Sequence, residues 1–225
     1  MTSPSPPIPP DTAATGCLGP FPTPTHGQPG AGSFTIACST HIKAAPRTCL
    51  EVLLKASEYP SWNRYCRKCI IDAQPDGDHQ ALPNLVGPEF LRLGTKFTFH
   101  VHMDPLSEDS SARNTALEVS RLERIDEVLQ IRRTGFRIAW KTRPTLFMPN
   151  RMLRCERVQE FVQVYPPSGT LDEPETAYRC WETFYGVLAP VVKAAAGNQI
   201  MRGGTYLSSS EIPLSLGDIS YLSII

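Results

Sequence analysis

The sequence predicts an α+β fold in which one curved antiparallel sheet wraps around a C-terminal helix. Three observations carry that expectation. Between positions 34 and 63, one alternating strand is followed by a short helix begun at Pro46 and by the turn Tyr59-Pro60-Ser61-Trp62-Asn63. Strand-like segments then run as far as Gly186, and a second helical pattern opens at Val187. A strand, a small helical insert, a long antiparallel run and a closing helix together make a sheet curled over a helix, an arrangement that encloses space.

The elements follow in order. Residues 1–32 are rich in Pro, Gly, Ser and Thr, with Pro4, Pro6, Pro7, Pro9 and Pro10 followed by Pro20, Pro22, Pro24 and Pro29. Proline locks φ and removes donors, so this stretch is expected to be a disordered tail. Docking as polyproline II on an SH3 or WW groove is its alternative use. A folded domain is expected over 33–201. It opens with Phe34, Ile36, Cys38 and Thr40 alternating against Thr35, Ala37, Ser39 and His41, which is strand periodicity. Pro46 suits a first helical turn, and Cys49, Leu50, Leu53 and Leu54 form one apolar stripe facing the sheet. Pro60 limits the next helix to a turn or two, with Tyr59 and Trp62 as amphipathic anchors.

A second strand is expected near 69–71, and turn chemistry marks 76–88 as a long loop. Phe97, Phe99, Val101 and Met103 alternate with Thr98, His100 and His102 in the clearest strand pattern of the chain. Further strands are expected near 116–122, 128–133, 136–141, 153–164 and 178–185. A closing helix is expected from Val187 to about Ile200, stopped by Gly197 and the Gly203-Gly204 pair.

Composition removes several function classes. At 225 residues the chain suits one domain able to bury a core without disulfides or metal. Lys plus Arg and Asp plus Glu number 22 each, so no overall field draws it toward nucleic acid or an anionic membrane. Seven scattered cysteines suit reduced thiols, and with no signal-peptide pattern or apolar span the expected location is the cytoplasm.

A set of local patterns, taken in order, resembles the START-like superfamily, also called SRPBCC, which includes polyketide cyclases and dehydratases, coenzyme Q-binding START-like proteins and lipid-transfer domains. The matching pieces are Ala45-Pro46-Arg47 with Glu51-Val52-Leu53, Tyr59-Pro60-Ser61-Trp62-Asn63, Leu93-Gly94-Thr95-Lys96-Phe97 and Arg137-Ile138-Ala139-Trp140. Glu156-Arg157-Val158-Gln159 and the run Tyr178-Arg179-Cys180-Trp181-Glu182-Thr183-Phe184-Tyr185-Gly186 complete the set. The resemblance spans about 34–200 and is strongest to fungal members. It implies a helix-grip fold with a ligand cavity between sheet and C-terminal helix. Residues 202–225 depart from the pattern: Arg202-Gly203-Gly204 replaces further helical turns, so the closing helix is expected to be short.

Several residues offer chemistry. Cys66-x-x-Cys69 lacks a second ligand pair for zinc and is expected to be two ordinary thiols. His100 and His102 share the face opposite Phe97 and Phe99, so they are expected to face solvent and hold no metal. Arg121, Arg124, Arg132, Arg133, Arg137, Lys141 and Arg143, interleaved with Glu118, Glu123, Asp126 and Glu127, read as a solvated outer face. Glu156, Arg157 and Glu182 stand out because charges amid apolar strand residues are costly unless paired. Glu182 shares its strand face with Tyr178, Cys180 and Phe184, which makes it an acid/base candidate; a structural pair with Arg157 is the competing role.

These residues lead to one expectation and two competitors. The expectation is a binder of a hydrophobic small molecule (a lipid, isoprenoid or polyketide), held by burial of apolar surface. Trp62, Phe97, Phe99, Trp140 and Phe184 are its expected lining, with Arg157 and Glu182 as polar contacts. The first competitor is an enzyme resembling polyketide cyclases and dehydratases, in which Glu182 moves protons; the second is a scaffold acting through the Pro-rich tail. No cofactor and no nucleic-acid partner are called for, and only transient membrane contact is compatible with the sequence.

Overall fold

Strand alternation decides the two faces of the molecule. In β2 (Phe34–Ile42), Phe34, Ile36, Cys38 and Ile42 lie on one face, in the same buried clusters as α1 (Pro46–Leu54) and the aromatic rings, while Ala37 lies on the other. We call these the inner and outer faces. The computed structural model describes residues 6–12, 16–26, 32–76, 85, 87–102, 107–108, 111–128, 132–146, 148–164 and 175–194. Its remaining strands are β1 (Gly16–Leu18), β3 (Cys66–Ala73), β4 (Lys96–His102), β5 (Ala112–Val128), β6 (Arg132–Thr142), β7 (Arg154–Val164) and β8 (Glu175–Tyr185). They form one antiparallel sheet in the order β1-β2-β8-β7-β6-β5-β4-β3.

The α+β architecture read from the sequence is the one observed. Helix α1 begins at Pro46 in its first turn and buries Cys49, Leu50, Leu53 and Leu54 against β6 and β7. Its chain then passes through a 3-10 turn, Ala56–Glu58, into the single turn α2 (Tyr59–Trp62), which packs on β3. Backbone bonds from Ala56 N to Glu89 O (2.9 Å) and from Leu91 N to Leu54 O (2.8 Å) pin this insert to the 87–91 segment. The helical insert therefore roofs part of the inner face.

Two features of the sheet shape it. β5 pairs with β6 through a bulge at Ser120, since Val119 opposes Trp140 while Arg121 opposes the next residue, Ala139. The extra residue bends and twists this seventeen-residue strand. Gly186 has φ +99° where β8 turns toward the final helical segment, and a Cβ there would lie 2.6 Å from the Met152 carbonyl oxygen. The closing helix expected from Val187 begins two residues later: 187–188 form a turn and 189–194 are helical, while 195–200 and all of 202–225 lie outside the described residues. No helix among the described residues is long and apolar enough to cross a membrane.

Two expectations are corrected. The pairing of β5 with β6 extends to Val128 opposite Arg132, so 128–133 supplies the ends of two strands and their connection, not a strand of its own. The mixture of apolar and basic residues there imitates alternation. The described parts of 1–32 also pack on the sheet instead of forming a passive tail. β1 pairs with β2, and Ile8 is 3 % exposed against Ala37, Ala139, Val158 and Trp181 on the outer face. Proline removes donors but keeps its carbonyl: Pro9 O accepts from the Ser39 hydroxyl, and Pro22 O accepts from Trp181 Nε1 at 3.1 Å. An outer face rich in hydroxyls and one indole supplies the donors that the strap lacks.

Candidate ligand-binding site

The inner face is built from side chains that alternation places together. Phe97 and Phe99 on β4 lie 5.0 Å apart by ring centroids, and both stand 5.9 Å from Trp140 on β6 in edge-to-face geometry. Tyr59 bridges this group to Trp62, at 4.9 Å from Phe99 and 4.8 Å from Trp62. Trp62, Phe97, Phe99 and Trp140 thus form one aromatic wall under the helical insert. Phe184 belongs elsewhere: it stacks on Phe34 at 4.6 Å, in a separate cluster with Ala189 at the other end of β8.

A polar seam crosses the same face. Arg157 on β7 opposes Glu182 on β8, and Gln159 opposes Cys180. Arg157 Nη2 and Nε donate to Glu182 Oε2 at 2.6 and 3.1 Å, with both residues 7 % exposed. Burial alone pushes the guanidinium pKa down; the Glu182 carboxylate outweighs that and raises it, so Arg157 stays charged. Gln159 Oε1 accepts from the Tyr178 hydroxyl at 2.7 Å. Gln159 Nε2, however, has no partner among the described residues, although the side chain is 2 % exposed. Trp62 Nε1 is likewise buried without a partner among them. An unpaired buried donor costs about 1–3 kcal/mol, so two on one face ask for acceptors.

A depression of about 230 Å³ opens where α1 meets the β5–β6 hairpin, lined by Pro46, Arg47, Arg124, Thr134, Phe136 and Gln163 among others. Phe136 packs against the aromatic cluster, and its cross-strand partner Phe161 touches Tyr178 at 5.2 Å. Of its lining, Phe136 is the residue that touches the inner-face cluster.

The outer face does different work. Glu156, adjacent to Arg157 but pointing outward, is fully buried and accepts from Thr25 N and Oγ1 (both 2.9 Å), from the bulge residue Ser120 (2.5 Å) and from His26 Nδ1 (3.3 Å). Burial raises its pKa, but hydrogen bonds from His26, Ser120, Thr23 and Thr25 prevail and hold it at about 2. The Thr23 hydroxyl also meets Tyr185 at 2.8 Å, and Thr183 Oγ1 donates to Phe21 O at 2.9 Å. The basic concentration forms an ion-pair ladder: Arg137 with Glu160 (2.6 Å) and Glu123 (2.9 Å), Arg133 with Glu127 (2.9 Å), Lys141 with Glu118 (3.6 Å). Its centre is not solvated, since Arg137 and Glu160 are 4 % and 0 % exposed. Cys66 is buried, its thiol pushed up to about 12, and no group of three or more potential metal ligands exists among the described residues.

The sequence singles out Glu156 as a charge that needs partners, but neither those partners in the N-terminal segment nor Gln159 is marked by it. An amide carries no charge to mark it, although its place in the Arg157, Gln159, Phe161 alternation was a usable signal.

An antiparallel sheet with a helical insert after its first long strand and a helix following its last is the arrangement the sequence resemblance implied. No family model matches the chain. Oxopyrrolidines biosynthesis cluster protein O of Penicillium oxalicum is 29% identical over 160 residues, covering 71% of this chain and 75% of that protein. Among solved structures, a START superfamily protein from Mycobacterium smegmatis aligns with a TM-score of 0.43 at 14% identity, over 77% of this chain and 93% of that one. The di-domain ARO/CYC StfQ from the steffimycin biosynthetic pathway aligns with a TM-score of 0.42 at 15% identity, over 84% of this chain and 48% of its own. The sheet of this chain presents one apolar face with a buried polar seam.

Proposed function

We propose that the protein binds an apolar small molecule bearing oxygen acceptors, seated against the aromatic wall with one oxygen at Gln159. The observation that carries this reading is Gln159 Nε2, a buried donor without an acceptor among the described residues, on a face otherwise lined by rings. Burial of the guest's apolar surface supplies affinity, and the amide fixes its orientation. The wall is packed by α1 and the helical insert, and the neighbouring depression of about 230 Å³ is smaller than the ligand sites of about 300–1,000 Å³ common in proteins, so binding moves the insert or the start of α1 outward. The relative named for an oxopyrrolidine biosynthesis cluster supports a small-molecule role of this kind.

A proton-transferring enzyme using Glu182 is the second reading, favoured by the inward position of that carboxylate. The two guanidinium donors on Oε2 weigh toward an ion pair that shapes the seam. Native mass spectrometry of the purified chain tests the first reading: a retained apolar compound is expected, and Gln159→Leu should weaken its retention at least about fivefold, the equivalent of one hydrogen bond. A guest-free wild-type mass, with no uptake from an extract of oxygenated apolar compounds, refutes it.

A further inference from the structure

Cys38, Cys49, Cys66, Cys69, Cys155 and Cys180 are free thiols, and two of them stand in a special relation. Cys38 on β2 and Cys180 on β8 are directly opposed in the antiparallel register. Directly opposed residues have Cα atoms about 4.5–5.5 Å apart and side chains on the same face. Disulfides need Cα separations of about 4.4–6.8 Å, a range that a directly opposed pair satisfies. The Cys66-x-x-Cys69 pair does not: three residues along β3 span about 10 Å. Cys155 opposes Phe184, and Cys49 lies on α1 with its thiol toward Thr176.

We propose that Cys38 and Cys180 form a reversible disulfide on oxidation by a hydroperoxide, a covalent switch set in the inner face beside the polar seam. The two thiols differ in readiness. A hydrogen bond from Cys38 and the nearby Arg157 guanidinium outweigh burial and lower the Cys180 thiol, whereas the same hydrogen bond and burial raise Cys38 well above the ordinary range. By register Cys180 also stands one strand nearer the Arg157 guanidinium than Cys38 does, so Cys180 is assigned as the attacking thiolate and Cys38 as the resolving thiol. In the first step the Cys180 sulfur bonds to one peroxide oxygen, the O–O bond breaks, and the leaving oxygen departs as water or the corresponding alcohol, taking the Cys180 proton. In the second, the Cys38 sulfur displaces that oxygen from Cys180, which leaves as water with the Cys38 proton. Two thiols and one hydroperoxide thus give one disulfide, with both electrons delivered to the peroxide.

The bridge joins the first long strand to the last and removes the thiol donors flanking Tyr178, so the seam that faces the guest differs between the two states. This site stands on strand register alone and does not require that a guest bind.

The test treats the full chain, purified under reducing conditions, with hydrogen peroxide and maps its peptides without reduction. The expected result is a cross-linked peptide pair containing Cys38 and Cys180, lighter than the reduced pair by two hydrogen atoms and restored by dithiothreitol. Cys69→Ser should leave this species intact, while Cys38→Ser should replace it with a sulfenic acid at Cys180 that a dimedone tag captures. Oxygen adducts on Cys180 without the cross-link in the wild-type chain overturn the proposal, as does a Cys38–Cys180 pair that stays reduced while other thiols react.

Discussion

Replacing Glu156 by Gln measures how firmly the N-terminal strap is clamped to the sheet. The carboxylate is fully buried on the outer face and takes hydrogen bonds from Thr25, Ser120 and His26. Those bonds hold its pKa at about 2 against an ordinary 4.5. A folded-state pKa below the unfolded one contributes stability that is fully present above the unfolded value and lost as pH falls through the folded one. The difference is worth about 3 kcal/mol at neutral pH, of which about 2 kcal/mol is gone by about pH 3. Glu156→Gln removes the ionisation and leaves the shape, so the stability gap between wild type and variant should be largest near pH 7 and shrink to about two fifths by about pH 3. Urea titrations followed by tryptophan fluorescence at several pH values read this gap directly, because Trp181 sits under the strap with its indole bonded to Pro22. A gap that stays constant with pH would refute the argument, since it would mean the carboxylate titrates alike in folded and unfolded chains.

Two further outcomes follow from close contacts. Gly135→Ala places a Cβ against the Phe161 carbonyl oxygen and 2.9 Å from Val162 Cα, where backbone, not a yielding side chain, is the obstacle. It should destabilise by about 1–3 kcal/mol or more, visible as a lowered urea midpoint, by prying β6 from β7. Arg157→Met strands the Glu182 carboxylate and should cost about 3–5 kcal/mol, whereas the double change Arg157→Met with Glu182→Leu should recover most of it; a double variant no more stable than the single one would assign the loss to packing.

The parts of this molecule that were legible are those set by period alone. Alternation assigned Phe97 and Phe99 to one face, and Tyr178, Cys180, Glu182 and Phe184 to another run of the same face, without knowing how the strands pair. It said nothing of position along the strand, which is why Phe184 was grouped with Trp62 and Trp140 although it packs with Phe34 at the opposite end. The strap was illegible for a different reason. Its prolines cannot form ladders, but its carbonyls can accept from Trp181 and Thr183 and its Phe21 N–H can donate to Thr35, and that complementarity exists only once those side chains stand together on the folded sheet. Gln159 was passed over because a buried amide becomes informative only when its partners can be counted.

The same alternation ties the two faces to each other. On β7, Glu156 points out to the strap and Arg157 points in to the polar seam; on β8, Thr183 bonds the strap while Glu182 holds Arg157. Neighbouring residues on one strand share a backbone that cannot shift at one without shifting at the other, and Glu156 opposes Thr183 across the very pair in which Arg157 opposes Glu182. The strap therefore braces the backbone from which the seam's ion pair projects. Loosening the clamp at Glu156 should leave the aromatic wall in place, since Phe97, Phe99 and Trp140 pack through β4 and β6, and should act on the guest through the seam alone. In the proposed site, apolar affinity and polar selectivity are thus carried by different strands, and the Pro-rich segment bears on the second of them.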